Sequence, residues 1–110
     1  MRRDETTLLS MAEAARWVVS FVQGLSKDAF LDDARTQSAV LYQLIVMGEA
    51  AKRLSTEFRT QHPEIPLSLI AGMRDHLIHG YDLVDWDEVW KTATSDVADL
   101  LTLIEPLLPR

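Results

Sequence analysis

The chain contains no cysteine, and only four prolines and four glycines occur among its 110 residues. The absence of cysteine excludes disulfide bonds and thiolate metal sites. No apolar run approaches the roughly 20 residues that a helix needs to span a bilayer, and the first residues show no apolar stretch typical of a signal peptide. We therefore expect a cytoplasmic protein without a membrane segment.

Cationic residues are also scarce, because 11 Lys and Arg stand against 17 Asp and Glu, giving a net charge of −6. This balance argues against a protein that coats nucleic acid through a broad basic face. A small pocket for an anionic substrate remains possible, since it needs only a few local cations. The length is that of one domain, so we expect a single domain over residues 1–110.

Apolar residues recur at helical spacing in four segments, and no segment alternates as a strand does. The predicted helices span residues 4–23, 33–57, 66–79 and 85–105. A short extra helical turn is expected near residues 26–31, and a proline-containing linker over residues 58–66. Four amphipathic helices joined by mostly short connections predict an all-α fold, an antiparallel four-helix bundle.

The second predicted helix is apolar over much of its circumference between residues 40 and 51. Such a helix is either central in a bundle or shared with a second subunit. Trp86 and Trp90 on the last helix add apolar surface, which leaves room for a dimer interface. Glu49 lies in the apolar middle, where the simplest role for its carboxylate is an exposed pair with Arg53.

A cluster of polar residues interrupts the third helical segment and marks the expected functional site. Arg74, Asp75, His76, His79 and Tyr81 fall within eight residues. A guanidinium makes bidentate contacts to phosphate and stabilises charge in a transition state. An imidazole that titrates near neutrality takes a proton from a 2′-hydroxyl or gives one to a leaving oxygen. These are the two parts that a metal-independent ribonuclease needs.

The spacing leaves alternatives open. On an ideal helix Arg74 and His79 are about 140° apart around the axis, so they converge only if the helix loosens at its end or the pocket crosses its terminus. In a purely structural alternative, Arg74 pairs with a carboxylate such as Glu49 and His79 bonds to helix-end carbonyls. His76 and His79 have a spacing that suits a metal, but two ligands without a third are weak evidence, so we expect none.

The segment Met-Arg-Asp-His-Leu-Ile-His-Gly-Tyr at residues 73–81 resembles the Arg-polar-x-x-x-His-x-Tyr signature of HEPN domains. More narrowly, the chain is similar to the HepT toxins of HEPN/MNT toxin–antitoxin pairs, and the similarity covers essentially its whole length. Other stretches that agree in order are residues 30–33, 48–52, 65–66, 84–85 and 89–90.

The resemblance implies a helical homodimer in which Arg74 and His79 of both subunits face a cleft, as catalytic residues of a metal-independent RNase that needs no cofactor. Asp75 and Glu49 are candidate supporting residues. The resemblance also implies an MNT-type nucleotidyltransferase antitoxin as partner, which uses ATP to transfer AMP onto Tyr81. A bulky anionic adduct there would obstruct and repel an RNA phosphate.

The site departs from the family pattern at two positions. Asp75 stands where the family often has Asn, and its carboxylate either blunts the phosphate affinity of Arg74 or orients the guanidinium. Asp82 stands where an aromatic residue is usual, and it adds negative charge. These residues and the acidic composition favour an alternative, a catalytically inactive HEPN module that binds a nucleotidyltransferase or a nucleotide.

Overall fold

Helices form nearly all of the regular structure in this computed structural model, which describes residues 2–79 and 83–109, with the backbone alone for Arg2 and His79. The α-helices are α1 (Arg2–Val22), α2 (Lys27–Leu31), α3 (Ala34–Arg53), α4 (Thr56–Gln61), α5 (Leu67–Ala71), α6 (Met73–Leu77), α7 (Trp86–Lys91) and α8 (Val97–Ile104). Two short antiparallel strands, β1 (Ile78–His79) and β2 (Leu83–Val84), pair between α6 and α7. A π-helical segment (Thr92–Asp96) joins α7 to α8, and a 3-10 turn (Glu105–Leu107) follows α8. The all-α prediction is confirmed, and none of the described helices is long and apolar enough to cross a membrane.

The α3 helix lies at the centre of the helix packing. This helix packs against α1, α5, α6 and α7, while α8 packs on α1. Asp4 at the start of α1 is bonded to Ser55 just beyond the end of α3. Lys27, which follows the end of α1, forms an ion pair of 2.8 Å with Asp87 at the start of α7. These contacts set the directions of α3 and of α7–α8 opposite to that of α1.

The starts of the early helices depend on local side-chain caps. Gly24 ends α1 with a φ of 79°, a left-handed conformation that glycine adopts without steric cost. The Ser26 hydroxyl accepts the N–H of Ala29 at the start of α2, and the Asp33 carboxylate accepts the N–H of Thr36 at the start of α3. The extra turn after the first helix is thus confirmed.

The end of α3 differs from the sequence prediction. The predicted helix over 33–57 is wrong beyond Arg53, because Leu54 adopts an extended conformation with φ −69° and ψ 140°. The carbonyls released at the end of α3 still need donors. The guanidinium of Arg59 donates to the carbonyl of Ala51 at 2.6 Å, so a side chain from the next helix completes the end of α3.

A partly buried hydrogen-bonded pair anchors the turn after α3. Ser55 caps α4 by accepting the N–H of Phe58, so the predicted linker over 58–66 is wrong at its start. The backbone N–H and hydroxyl of Ser55 also donate to the two carboxylate oxygens of Asp4, at 3.0 and 2.6 Å. Asp4 is only 6% exposed. The Ser55 hydroxyl, with its backbone N–H, holds the pKa of Asp4 below its usual value.

The apolar middle of α3 is buried within this chain. Val40, Leu44 and Met47 have almost no exposed surface. A Cβ atom added to Gly48 would lie 3.2 Å from the carbonyl oxygen of Ile70, so the glycine lets the α5 backbone lie directly on α3. The sequence left two alternatives for this segment, a central position in the bundle or an interface with a second subunit. The burial of these residues within one chain fits the central position.

The two tryptophans of the last helical segment pack inside the chain. The rings of Trp86 and Trp90 lie 6.3 and 5.2 Å from the fully buried ring of Phe30, measured between centroids. Aromatic pairs in this range add to the stabilisation from burial. Both indoles therefore attach α2 to α7, and part of the apolar surface expected for a second subunit is used within the chain.

Candidate functional site at the end of α6

The helix that carries Arg74 is broken in the structure. The single helix predicted over 66–79 is wrong, because the backbone turns at Gly72 with φ −89° and ψ 2° and separates α5 from α6. A Cβ atom at Gly72 would lie 3.3 Å from the carbonyl oxygen of Ser68 in the preceding turn. The absence of a side chain at Gly72 therefore relieves crowding within its own turn. The close contact between neighbouring helices is made at Gly48.

The helix ends two residues before His79. Ile78 has an extended backbone, with φ −118° and ψ 119°, although its N–H still donates to the carbonyl of Arg74. The backbone of His79 then lies in β1, opposite Leu83 in β2. A β-branched residue such as Ile78 suits an extended conformation better than a helix. The chain therefore leaves the helix at the point where the predicted site needs it to loosen.

Two hydrogen bonds close the segment that follows. The N–H of Asp85 donates to the carbonyl of Leu77 at 2.8 Å, and the Asp85 carboxylate accepts the N–H of Glu88 at 3.1 Å to start α7. Asp85 is thus the N-cap of α7, at the start of the helix predicted over 85–105. The end of α6 and the start of α7 are therefore held together across the two strands.

The guanidinium of Arg74 is exposed on α6. The side chain of Arg74 is 59% exposed, and that of Asp75 is 84% exposed. An Nη1–Oδ1 distance of 3.6 Å joins them, as the sequence suggested for Asp75. An exposed pair of this kind contributes little to stability, and it leaves most of the guanidinium donors available to an anionic ligand.

Glu49 does not take the roles that the sequence suggested in its structural alternatives. Its carboxylate lies 3.4 Å from the ammonium group of Lys52. Among the residues that the structure describes, it forms no ion pair with Arg74 or Arg53, so both of those interpretations are wrong. A supporting role for Glu49 in the site stays a prediction.

Three of the predicted site groups lie outside what the structure describes. The ring of His79 and all of Tyr81 belong to them, as does Asp82. The convergence of Arg74 with His79 therefore stays a prediction, but the ideal-helix separation no longer applies, because the helix stops at Leu77.

His76 belongs to a different surface. Two residues along a helix are about 200° apart around its axis, and His76 accordingly lines a groove between α5–α6 and α7–α8, whereas Arg74 does not line it. Among the side chains that the structure describes, no three His, Asp or Glu residues gather as metal ligands. The sequence grouped His76 with Arg74 by proximity, and helical geometry separates them.

The structure thus has an exposed arginine on a short helix of an all-helical chain, with a histidine two residues beyond the end of that helix. A family model described as "Ribonuclease HepT-like" matches residues 11–107. The chain belongs to this family.

Relatives of similar length support the assignment. The chain is 39% identical to "Probable ribonuclease HepT" of Thermococcus cleftensis over 96% of both chains. It is 31% identical to "Putative RNase TTE0752" of Caldanaerobacter subterraneus, over 100% of this chain and 98% of the relative. It is 33% identical to "Putative RNase MJ0125" of Methanocaldococcus jannaschii, over 83% and 78% of the two chains. No solved structure gives a significant match.

Proposed function

We propose that this single-domain protein is a metal-independent endoribonuclease, the toxin of a HEPN/MNT toxin–antitoxin pair, and that it acts in the cytoplasm as a homodimer. The observation that carries the proposal is the exposed guanidinium of Arg74 next to the end of α6, in a chain of the ribonuclease HepT-like family. RNA is the substrate because its phosphates suit the guanidinium and its 2′-hydroxyl supplies the nucleophile.

The proposed reaction is an internal attack within the RNA chain. The 2′-oxygen forms a bond to the adjacent phosphorus while the bond from phosphorus to the 5′-oxygen breaks. The products are a 2′,3′-cyclic phosphate and a 5′-hydroxyl end. His79 takes the proton of the 2′-hydroxyl, and His79 of the partner subunit gives a proton to the 5′-oxygen. Arg74 binds the phosphate and stabilises the charge that grows on its oxygens.

The local backbone supports these roles. The chain becomes extended at Ile78, so a side chain at His79 is no longer bound to the helical rotation that would turn it away from Arg74. Asp75 lies within ion-pair distance of Arg74 and is a supporting residue of the site in this proposal. Glu49 stands beside Gly48, where α3 meets α5, and we assign it a supporting role only.

Neutralisation by a nucleotidyltransferase antitoxin completes the proposal. The phenol oxygen of Tyr81 attacks the α-phosphorus of ATP, the bond to the β-phosphate breaks, and pyrophosphate and the phenol proton leave. Tyr81 is two residues from His79 in the sequence. An anionic adduct at this position repels the RNA phosphate that Arg74 would bind.

One observation favours a second candidate function. The Asp75 carboxylate lies 3.6 Å from the Arg74 guanidinium, so it competes with a phosphate for the same charge. The chain as a whole carries a net charge of −6. If Asp75 keeps the phosphate of RNA away from Arg74, the protein is a catalytically inactive HEPN module that binds a nucleotidyltransferase or a nucleotide.

The decisive experiment measures RNA cleavage by purified protein in EDTA. We expect cleavage by the wild type and a loss of at least about 100-fold in Arg74→Ala and His79→Ala, since each removes a group that acts on the reacting atoms. Arg35→Ala is the matched control, because it removes an exposed cation of the same kind from the start of α3 and should cleave normally.

Two results would change the assignment. If protein shown by mass to carry no AMP on Tyr81 does not cleave RNA, the inactive binding module is the better description. If both Arg74→Ala and His79→Ala still cleave, another site or a contaminant is responsible and the assigned residues are wrong.

A further inference from the structure

A groove of about 410 Å³ lies between α5–α6 on one side and α7–α8 on the other. Its floor is apolar, since Met47, Leu77 and Leu100 line it and are almost fully buried. Leu69 lies on its rim with 65% of its surface exposed. An exposed leucine beside an apolar floor is the kind of surface that marks an interaction site.

The opposite rim of this groove is acidic. Glu88, Asp96 and Asp99 line it from α7–α8 and are all exposed. Within the described part of the chain none of the three carboxylates forms an ion pair. Among the described residues that line the groove there is no Lys or Arg beside these three carboxylates, so the charge of the groove is predominantly negative.

The acidic wall contains an unusual stretch of backbone. Residues 92–96 form a π-helical segment, and its two end residues, Thr92 and Asp96, both line the groove. π-Helical turns are rare in proteins and frequently occur at functional sites. This observation is independent of the exposed leucine and of the charge, and it points to the same surface.

We propose that this groove is a docking site for a basic amphipathic helix of a partner protein. Its apolar anchors, spaced three or four residues apart, would enter between Leu69 and the floor, as in other helix-in-groove complexes. Its Lys or Arg side chains would face Asp96 and Asp99, which stabilises the correct partner and repels acidic ones.

Charge decides between this occupant and the others. An RNA strand would bring its phosphates against Glu88, Asp96 and Asp99, so the groove disfavours RNA. A second copy of this chain carries a net charge of −6 and is a poor electrostatic match for an acidic rim. The docking surface therefore differs from the Arg74 site and serves another macromolecule.

The probe for this proposal is a fluorescein-labelled peptide of about 18 leucines and lysines in amphipathic helical order, a length that supports a helix. Its binding is measured by fluorescence anisotropy at about 0.15 M salt. We expect Asp96→Lys and Asp99→Lys each to weaken binding about three- to tenfold, because an attraction becomes a repulsion. Leu69→Ser should weaken it at least about threefold at constant charge.

Glu13→Lys on the exposed face of α1 is the matched control. It changes the net charge by the same amount in the middle of a helix, and it should weaken binding less than about twofold. A peptide in which serines replace the leucines should bind all variants equally weakly. RNA cleavage by Asp96→Lys should match that of the wild type, which separates this proposal from the nuclease assignment.

Three outcomes would overturn the proposal. Equal losses in Glu13→Lys and Asp96→Lys would mean that only net charge attracts the peptide. Unchanged binding by Leu69→Ser would remove the apolar half of the site. A concentration-dependent increase in mass that Leu69→Ser abolishes and the peptide does not compete with would assign the groove to a second copy of the chain.

Discussion

Ser55→Ala tests the partly buried contact that holds the start of α1 to the turn after α3. The substitution removes the 2.6 Å hydrogen bond from the Ser55 hydroxyl to Asp4. A hydrogen bond to a charged group contributes about 1.5–3 kcal/mol. It also removes the cap on the N–H of Phe58, a loss of about 1 kcal/mol. Together these predict a decrease of about 2.5–4 kcal/mol in the free energy of unfolding at pH 7.

This contribution depends on pH with a defined sign. The hydrogen bonds from Ser55 lower the pKa of Asp4 below its ordinary value, so the unfolded chain binds a proton at a higher pH than the folded chain does. The stabilisation is therefore complete above about pH 4 and is lost as the pH falls through the lowered pKa of the folded state. The difference between wild type and Ser55→Ala should shrink in the same pH window.

Urea unfolding at pH 7 and at acid pH measures both effects, with Ser38→Ala as the control for an exposed helical serine. A double-mutant cycle with Asp4→Asn should give a coupling energy of at least about 1 kcal/mol. A loss below about 0.5 kcal/mol, or a coupling near zero, would refute the claim that this pair stabilises the corner. An effect that is equally large at every pH would refute its assignment to the Asp4 carboxylate.

Three further substitutions test other parts of the molecule. Gly24→Ala should lower the free energy of unfolding by about 1 kcal/mol, because a φ of 79° is strained for alanine although space for the Cβ is open; unchanged stability in urea would contradict this. Gly48→Leu should cost about 1–3 kcal/mol, because even its Cβ meets the carbonyl of Ile70, and a urea midpoint equal to that of the wild type would disprove the close approach. Asp75→Asn should lower the KM for RNA about two- to fivefold with little change in kcat, since it removes a competitor for Arg74, and a raised KM would show that the carboxylate orients the guanidinium productively.

Local sequence rules identified the helix starts well. Ser26, Asp33 and Asp85 cap their helices, and such starts are predictable because a cap depends only on residues within about three positions. The sequence predicts helical segments around Phe30, Trp86 and Trp90, but it does not predict that their rings pack together. Amphipathic patterns show which face is buried and do not show what covers it.

The errors lie where distant residues decide the backbone. The predicted helix over 33–57 continues through Ser55. In the structure the helix ends before this residue, which is hydrogen-bonded to Asp4, 51 positions away in the sequence. A local signal was present, since Ser55 is followed by Glu57 in the first turn of α4, a pattern typical of a helix start. The end of α6 was set in the same way, by the bond from Asp85 to Leu77 and by strand pairing.

The acidic composition of the chain is compatible with an RNA substrate because exposed charges act locally. At physiological salt, interactions between exposed charges are largely screened beyond about 8 Å, so RNA at Arg74 responds to that cation and its neighbour Asp75. Two Arg74 residues in a dimer would neutralise about two phosphates. The slope of log K against log salt for a single-stranded RNA should then be about −1.4. Arg74→Ala should bring this slope close to zero. A slope steeper than about −4 in the wild type would contradict the argument, because it requires a broad basic surface. A chain with 11 Lys and Arg against 17 Asp and Glu is not expected to form such a surface.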